Sequence, residues 1–543
     1  MVKLISKILH HPMLHKQTVV QATILITIVN FLGKFVGFAR EMLIAKYFGA
    51  TGVMDAYVIG LQVPTLVLGL FAGGLGTLII PMYISRKQKD PQDAKRYVNQ
   101  ILVVWGAIFL VVSALTAVFA PQLVRLVAYG FEGERFDLAV QITRLLALYG
   151  FMNIVNFYFT SLLQAEKQFF VTALSTVTFN ALGVSIIFVF SKPFGVFSMV
   201  VGSYVFVFCN FALNVALLIK KYHLLSLMKI AINWIEIKEF FLLLFPLILS
   251  AGVGTINAIV DRTIASTLPQ GSIAALQYSQ KIWTLPASLF VGSLAVAIFP
   301  SFSELATHAK RSMEYKQSIN KTIITLLYFL IPATIFLMMF SIPITRLFYQ
   351  RGAFDSSDTE LTSFVNQMYC IGIFFMAVYP ILMKVFYSFK KTIIPLIISV
   401  VVVGLNIVGN IVLSKYLFAG GIALSTSLTQ GVGFVFSYAL LRRYFKAKEI
   451  EFRSTNQDLL LEAGKICVAC VPVILIGFIV LPWAQSVLPF ILQAIKLGLI
   501  ALIMAIVFLF SSKLIKSMGY DMAQGYILSG AKALIIVRQK KER

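Results

Sequence analysis

Charged side chains are scarce in this chain of 543 residues. Asp, Glu, Lys and Arg make up only 13% of it, whereas 59% of the residues are hydrophobic. Soluble domains carry about 25% charged residues, so the composition excludes a soluble fold. Long polar stretches are missing as well, and apolar runs of roughly 20 residues, the length that crosses a bilayer, recur throughout the sequence. These features predict an all-α polytopic membrane protein.

Acidic residues are the rarer of the two charged classes, with 22 Asp and Glu against 46 Lys and Arg, a net charge of +24. A strongly basic chain raises the question of nucleic acid. Here, however, the basic residues lie in short polar segments between apolar runs, as membrane topology predicts. We therefore expect no nucleic-acid partner.

Cysteine is limited to four residues, and two of them, Cys467 and Cys470, form a CxxC in the apolar stretch "KICVACVPVILIGFIV". No histidine or further cysteine lies near this pair in the sequence. Helix packing is therefore favoured over metal or redox chemistry for the CxxC.

Fourteen apolar runs are long enough to be membrane spans. We predict spans at 19–42, 54–84, 98–120, 137–164, 169–190, 195–219, 238–262, 275–303, 319–341, 359–388, 393–413, 417–441, 461–482 and 486–511. Alternate connections differ in charge: those such as "SRKQKDPQDAKRY" and "LRRYFKAKEIEFRS", taken with both ends of the chain, hold most of the Lys and Arg. The positive-inside rule places this set, and both termini, in the cytoplasm, as an even number of spans also requires.

The two ends of the chain are read as cytoplasmic segments. Residues 1–18 precede a long apolar stretch without a small-residue cleavage site, which predicts a cytoplasmic leader rather than a removed signal peptide. Residues 512–543 are too broken to span and end in a basic cluster. An amphipathic helix on the inner leaflet and a disordered basic tail are the two alternatives for this tail.

An internal repeat relates residues 40–85 to residues 261–303. Both stretches begin with charge, continue with Ile-Ala, turn, and enter a proline-containing span. We therefore predict two pseudo-symmetric six-helix lobes, 19–219 and 238–441, followed by an extra helix pair at 461–511. Two similar lobes are the design of an alternating-access transporter, with a substrate site between them. A channel is the rival, but the sequence shows no repeated stretch that resembles a selectivity filter.

Charged residues inside the predicted spans are candidates for function. Lys34 and Arg40 lie in the first span, Asp55 opens the second, and Lys281 lies early in the eighth. Intramembrane charge is costly and commonly functional, and a basic cavity suits phosphate or pyrophosphate. The alternative is that Arg40 is interfacial with its neighbour Glu41, that Lys34 extends to the interface, and that Asp55 only stabilises a helix N-terminus.

A second set of polar residues predicts a cation site. Asp261 ends the seventh span, Asn406 and Asn410 share one helix face at i and i+4, and Thr426 lies in the twelfth span. A carboxylate, amide oxygens, a hydroxyl and a backbone carbonyl are hard ligands that suit Na⁺. Interhelical hydrogen bonding is the alternative use of the same residues.

Several motifs resemble the MurJ/MviN family of lipid II flippases, which belongs to the multidrug/oligosaccharidyl-lipid/polysaccharide exporter superfamily. The similar stretches include "GFAREMLIAKYFGATGVMDAYVIGLQVP", "LFYQRGAFDSSDTELT" and "FYSFKKTIIPLIISVVVVGLNIVGNIVLSKYLFAGGIALSTS", and the resemblance covers roughly residues 20–440. It implies fourteen helices, with the last two forming a groove for the lipid tail, and no enzymatic chemistry. It also implies that the protein carries an undecaprenyl-pyrophosphate-linked precursor to the outer leaflet.

The resemblance also assigns residues. Arg40 matches a cavity arginine of the family, Asp55 matches its acidic residue, and Lys34 and Lys281 stand where arginine is usual. The implied sodium site comprises Asp261, Asn406, Asn410, Ile422 and Thr426, with Ile422 as the carbonyl donor.

Two departures weaken the match. Asn410 replaces a frequent Asp, and "LVLGLFAGGLG" lacks the basic residue and glutamate that the family commonly has there.

These observations lead to a first hypothesis and two alternatives. The first is a lipid II flippase of peptidoglycan biosynthesis in the bacterial cytoplasmic membrane, which would act in cell-wall and cell-shape maintenance. Its partners would be a lipid-linked glycan, membrane lipid and the cell-wall synthesis machinery. It would need no cofactor, and Na⁺ or the membrane potential would couple transport. The alternatives are a flippase for another polyprenyl-linked oligosaccharide, and a cation-coupled multidrug exporter.

Overall fold

A computed structural model describes residues 19–225, 232–286, 288, 312–389, 391, 393–446 and 453–525. Every regular element in these ranges is helical, which confirms the all-α prediction. The chain divides into two compact units, Met1–Thr267 and Leu268–Arg543, called unit 1 and unit 2.

The helices of unit 1 are α1 (Val19–Phe48), α2 (Gly52–Lys89), α3 (Pro91–Val118), α4 (Ala120–Val127), α5 (Gly133–Ala165), α6 (Phe169–Phe194), α7 (Phe197–Lys220) and α8 (Trp234–Ser266). Unit 2 contains α9 (Ser312–Met339), α10 (Ser341–Tyr349), α11 (Ser356–Cys370), α12 (Ile373–Ser388), α13 (Ile393–Lys446), α14 (Arg453–Gln485) and α15 (Phe490–Leu514). Residues 272–286 and 518–525 of unit 2 are also helical.

The described helices agree with the predicted spans in position. Among the described residues, eight helices are long and apolar enough to cross a membrane, or nine if the bent pair α11–α12 forms one span. The count of fourteen therefore stays a prediction. The leader 1–18, much of the predicted eighth span and residues 526–543 lie outside the described residues.

An aromatic cluster forms part of the core of unit 1. The indole of Trp105 on α3 is fully buried, and its ring centroid lies 4.8 Å from that of Phe109 and 5.7 Å from that of Phe71 on α2. Phe240 and Phe241 of α8 complete the cluster, with centroids 6.4 and 5.9 Å from Trp105. Burying such large rings is the dominant favourable contribution to packing, and here it joins α2, α3 and α8.

Charged residues hold the beginning of α8 in the same unit. Glu236, in the first turn of α8, pairs with Arg96 at 2.9 Å and with Arg86 at 3.3 Å, and both arginines also pair with Asp93. The sequence predicted that a helix at 238–262 opens the second lobe. Contacts group α8 with unit 1 instead, and the lobe boundaries stay a prediction.

Two helical hairpins have the same backbone turn. The first hairpin consists of α6 and α7 and turns at Gly195, with φ 51° and ψ −136°. The second hairpin consists of the two halves of α13, which turn at Phe418 with φ 49° and ψ −130°. A Ser-Lys pair lies four residues before each turn, at Ser191 and Ser414. The two hairpins thus share a turn geometry and a Ser-Lys pair, and the duplication of a six-helix lobe stays a prediction.

The residues after α15 dock on unit 2 as far as they are described. The carboxylate of Glu462, which is 4% exposed, accepts hydrogen bonds from the Ser517 hydroxyl at 2.9 Å and the Met518 N–H at 2.8 Å. Ala523 is buried in the helical segment that follows. The carboxylate thus stabilises the N-terminus of that segment. An inner-leaflet helix stays a prediction, because residues 526–543 lie outside the described part.

Candidate functional site

Arg40 lies inside the predicted first span, about two turns before the end of α1, and its side chain is held by aromatic neighbours. The Arg40 guanidinium lies close to Tyr57, Tyr149 and Glu41, and the side chain is half-buried. Tyr57 and Glu41 are 1% and 5% exposed. A solvated interfacial arginine would not need such partners. Arg40 thus lies beside buried neighbours, and its role as a cavity residue stays a prediction.

Lys34 lies deeper in the same helix, where its side chain is exposed. The sequence places Lys34 and Glu41 on one helix face, but Glu41 is buried because α1 is packed more closely near its C-terminal end. Gly33, beside Lys34, faces Val177 of α6, so packing fixes the rotation of α1 at this depth. Lys34 and Arg40 therefore differ in setting: Lys34 is exposed and Arg40 is half-buried.

Asp55 is 1% exposed in the first turn of α2 and lies 3.9 Å from Arg135. The N-cap position of α2 is Thr51, so Asp55 is one turn inside the helix. Arg135 also donates to the Gly130 carbonyl at 3.1 Å and the Ser266 carbonyl at 3.2 Å. Asp55 thus belongs to a charged contact that joins α2, α5 and the end of α8.

Sequence reasoning missed Arg135, Tyr57 and Tyr149. Arg135 precedes the predicted fourth span by two residues and reads as a charge in a connection. The tyrosines read as ordinary apolar residues of a span. The hydroxyl group of each tyrosine was the available signal. Buried tyrosine hydroxyls usually find a hydrogen-bond partner, so a tyrosine inside a predicted span indicates a polar neighbour.

Lys281 lies in unit 2, on the helical segment 272–286, and its side chain is exposed. Lys34, Arg40 and Asp55 lie in unit 1. A basic cavity shared by all four residues stays a prediction.

Four of the five residues predicted for the sodium site meet in the second hairpin. Asn410 donates to the Asn406 side-chain oxygen at 3.0 Å, Asn406 donates to the Thr426 hydroxyl at 3.3 Å, and Thr426 donates to the Ile422 carbonyl at 3.0 Å. Asp261 lies in unit 1, where Asn257 donates to its carboxylate at 3.4 Å. The hairpin residues bond to one another, as the interhelical alternative predicts.

A cation at this place would depend on neutral oxygens of unit 2. Among the described residues, no group of three His, Cys, Asp or Glu side chains is arranged to hold a metal ion. Asn406 and Asn410 are 1% and 0% exposed, and their amides can rotate to present oxygen. The residues therefore fit a weakly held monovalent cation, and sodium binding stays a prediction.

The described helices, with Lys34 and Arg40 inside α1 and hydrogen-bonded polar residues in the second hairpin, have the architecture of a polytopic membrane transporter. A solved "Lipid II flippase MurJ, inward closed conformation" is similar in fold, with a TM-score of 0.71 over 89% of this chain and 98% of that one at 24% identity. An inward-facing multidrug resistance MATE family transporter of the MOP superfamily matches with a TM-score of 0.62 over 77% and 95% at 16% identity. At these identities the likeness shows the fold alone.

The family follows from sequence. The family model described as "Lipid II flippase MurJ" matches residues 44–494, so the chain belongs to the MurJ lipid II flippase family. A "Probable lipid II flippase MurJ" of Thermotoga maritima is 26% identical over 79% of this chain and 87% of that one. The Rickettsia prowazekii protein of the same description is 26% identical over 78% and 84%. These matches confirm the resemblance drawn from the motifs.

Proposed function

We propose that this chain carries lipid II from the inner to the outer leaflet of the bacterial cytoplasmic membrane by alternating access, with both termini in the cytoplasm. The observation that carries the proposal is the half-buried Arg40 inside α1, close to Tyr57 and Tyr149. A guanidinium binds phosphate oxygens in a bidentate manner, so Arg40 suits the pyrophosphate of the carrier lipid. Family membership supports lipid II as the cargo. The proposal includes no enzymatic step.

The test is leaflet accessibility of labelled lipid II in cells depleted of their own flippase and supplied with this chain. We expect Arg40→Ala to abolish exposure of lipid II on the outer face and Arg40→Lys to retain part of it, because lysine lacks the bidentate geometry. Lys415→Ala, which removes an exposed cation near the second hairpin turn, should transport as the unmodified chain does. Normal transport by folded Arg40→Ala would refute the assignment of Arg40.

A second candidate is a flippase for another polyprenyl-linked oligosaccharide. It is favoured by the stretch "LVLGLFAGGLG", which lacks the charged pair that is common in the family at this place. If lipid II stays inaccessible while a capsule or exopolysaccharide carrier crosses, this candidate replaces the first.

Coupling to Na⁺ or to the membrane potential and contact with the cell-wall synthesis machinery also belong to the proposal. Transport measured in proteoliposomes with an imposed sodium gradient tests the coupling to Na⁺. Transport that ignores the gradient, in the unmodified chain and in Asp261→Ala alike, would exclude sodium as the coupling ion.

A further inference from the structure

The hydroxyl of Tyr204, on α7, bonds to both groups of one backbone rung of α5. It donates to the Leu145 carbonyl at 2.5 Å and accepts from the Tyr149 N–H at 3.1 Å. Leu145 and Tyr149 are four residues apart, so they are the partners that an α-helix joins directly. A side chain that enters this ladder is one of the few causes that bend a helix without proline, and α5 contains none.

Tyr204 therefore controls the position of Tyr149 in more than one way. In addition to the backbone contact, the two rings pack edge to face with centroids 6.2 Å apart. Asn153, one turn further along α5, donates to the Tyr149 hydroxyl at 3.1 Å. Backbone, ring and hydroxyl of Tyr149 are each held by a separate contact.

Ser203, the neighbour of Tyr204 on α7, lies near the second tyrosine beside Arg40. The Ser203 hydroxyl lies 3.5 Å from the hydroxyl of Tyr57, and Tyr57 lies close to Arg40. Adjacent residues of α7 thus contact both of the tyrosines that flank Arg40. We call Ser203 and Tyr204 the α7 support.

We propose that Tyr204 is a positioning residue for anion binding: through Tyr149 it holds Arg40 in the orientation that receives the pyrophosphate. This inference rests on the proposed function and deepens it. A long arginine side chain loses conformational freedom when it binds, and neighbours that fix it beforehand lower that cost. Tyr204 itself touches no substrate in this proposal.

The test measures binding of undecaprenyl pyrophosphate to the full chain in lipid nanodiscs. Tyr204→Phe keeps the ring and removes the hydroxyl, so we expect binding about tenfold weaker, the effect of one or two buried hydrogen bonds. The same substitution in an Arg40→Ala background should cause no further loss, because it acts only through Arg40.

Tyr158→Phe is the matched control. Tyr158 is also a buried tyrosine, it lies on α5, and its hydroxyl donates to the Val98 carbonyl at 2.7 Å. The substitution Tyr158→Phe removes a comparable hydrogen bond that does not involve the residues around Arg40. Binding should therefore be unchanged. Ser203→Ala provides a smaller change at the α7 support, with an expected loss of about twofold to threefold. It serves if Tyr204→Phe lowers the yield of folded protein.

Each remaining outcome counts against one specific claim. Unchanged binding by Tyr204→Phe, with binding lost in Arg40→Ala, would overturn the role of Tyr204 and leave the proposed function intact. An equal loss with and without Arg40 would make Tyr204 a structural residue only. Unchanged binding by Arg40→Ala would overturn the Arg40 site itself, and the inference with it.

Discussion

The two helical hairpins share a turn but differ at the point where their helices cross. In the first hairpin, twelve residues before and seven after the turn, Gly183 meets Gly202; a Cβ on Gly183 would lie 2.8 Å from the Gly202 carbonyl oxygen. At the same distances from Phe418, the second hairpin has Asn406 and Ser425, whose side chains and backbone hydrogen-bond. One crossing is a backbone contact without side chains, and the other is a polar seam.

This difference shows how one repeated element can serve two purposes. Small residues allow the backbones of two helices to pack closely. Amide and hydroxyl groups have several donors and acceptors, so their partners can exchange. The seam that replaces the glycine contact is also the place where four predicted sodium ligands meet. The first crossing is thus closed by backbone contact, and the second is held by hydrogen bonds.

The largest effect should come from filling the glycine contact. Gly202→Val places a side chain against the Gly183 carbonyl, and overpacking of this kind costs about 1–3 kcal/mol or more. We expect a large drop in the thermal unfolding midpoint of the purified protein. Gly404→Val, at a glycine of the second hairpin where a Cβ meets nothing within 4 Å, should lower it far less. Equal drops would show that helix propensity, not the crossing, is responsible.

A carboxylate in the polar seam should make the second hairpin sodium-sensitive. In sodium-free buffer, Asn410→Asp should lower the unfolding midpoint, because a buried charge is costly. Sodium should restore it, by about 2.7 kcal/mol at a concentration 100 times the dissociation constant. Choline chloride controls for ionic strength.

The first hairpin offers the matched variant Asn214→Asp. Asn214 is also buried, and it donates to the Asn156 side-chain oxygen at 2.7 Å. Its carboxylate should not respond to sodium. A similar sodium response from both variants would contradict a specific site in the second hairpin.

Substitutions at the two turn residues, Gly195 and Phe418, should change the free energy of unfolding in opposite directions. Phenylalanine at φ near 50° is strained by about 1–3 kcal/mol, a cost that glycine avoids. Gly195→Phe should therefore destabilise, and Phe418→Gly should stabilise, since Phe418 is 54% exposed and little burial is lost. Calorimetry of both variants measures the change. A destabilised Phe418→Gly would mean that the ring has a packing role.

The smallest effect is expected from the removal of one hydroxyl group of the seam. Ser425→Ala removes a hydroxyl that donates to the Asn406 carbonyl at 3.1 Å and accepts from the Asn406 amide at 3.3 Å, a loss of about 1 kcal/mol. Ser185→Ala removes an exposed bond within α6 and should be nearly neutral. If the two variants unfold alike, the seam adds no stability.

Much of this architecture can be predicted from the sequence, because apolar runs and charge asymmetry act locally. The i, i+4 spacing of Asn406 and Asn410 placed them on one face, and they do meet. Phe418 was missed as a turn residue, since phenylalanine carries no turn signal. Arg135 and Tyr204 were missed because their roles depend on residues far away in the chain, which no periodicity reveals.

Trp105 is an intrinsic fluorescent probe of unit 1. Its indole is fully enclosed by phenylalanine rings, whereas Trp234, at the beginning of α8, is 68% exposed. Enclosed indoles emit at shorter wavelengths than solvated ones, so the two tryptophans report on the interior and the edge of one packing unit. Emission spectra of single-tryptophan variants can then follow the docking of α8 without a label.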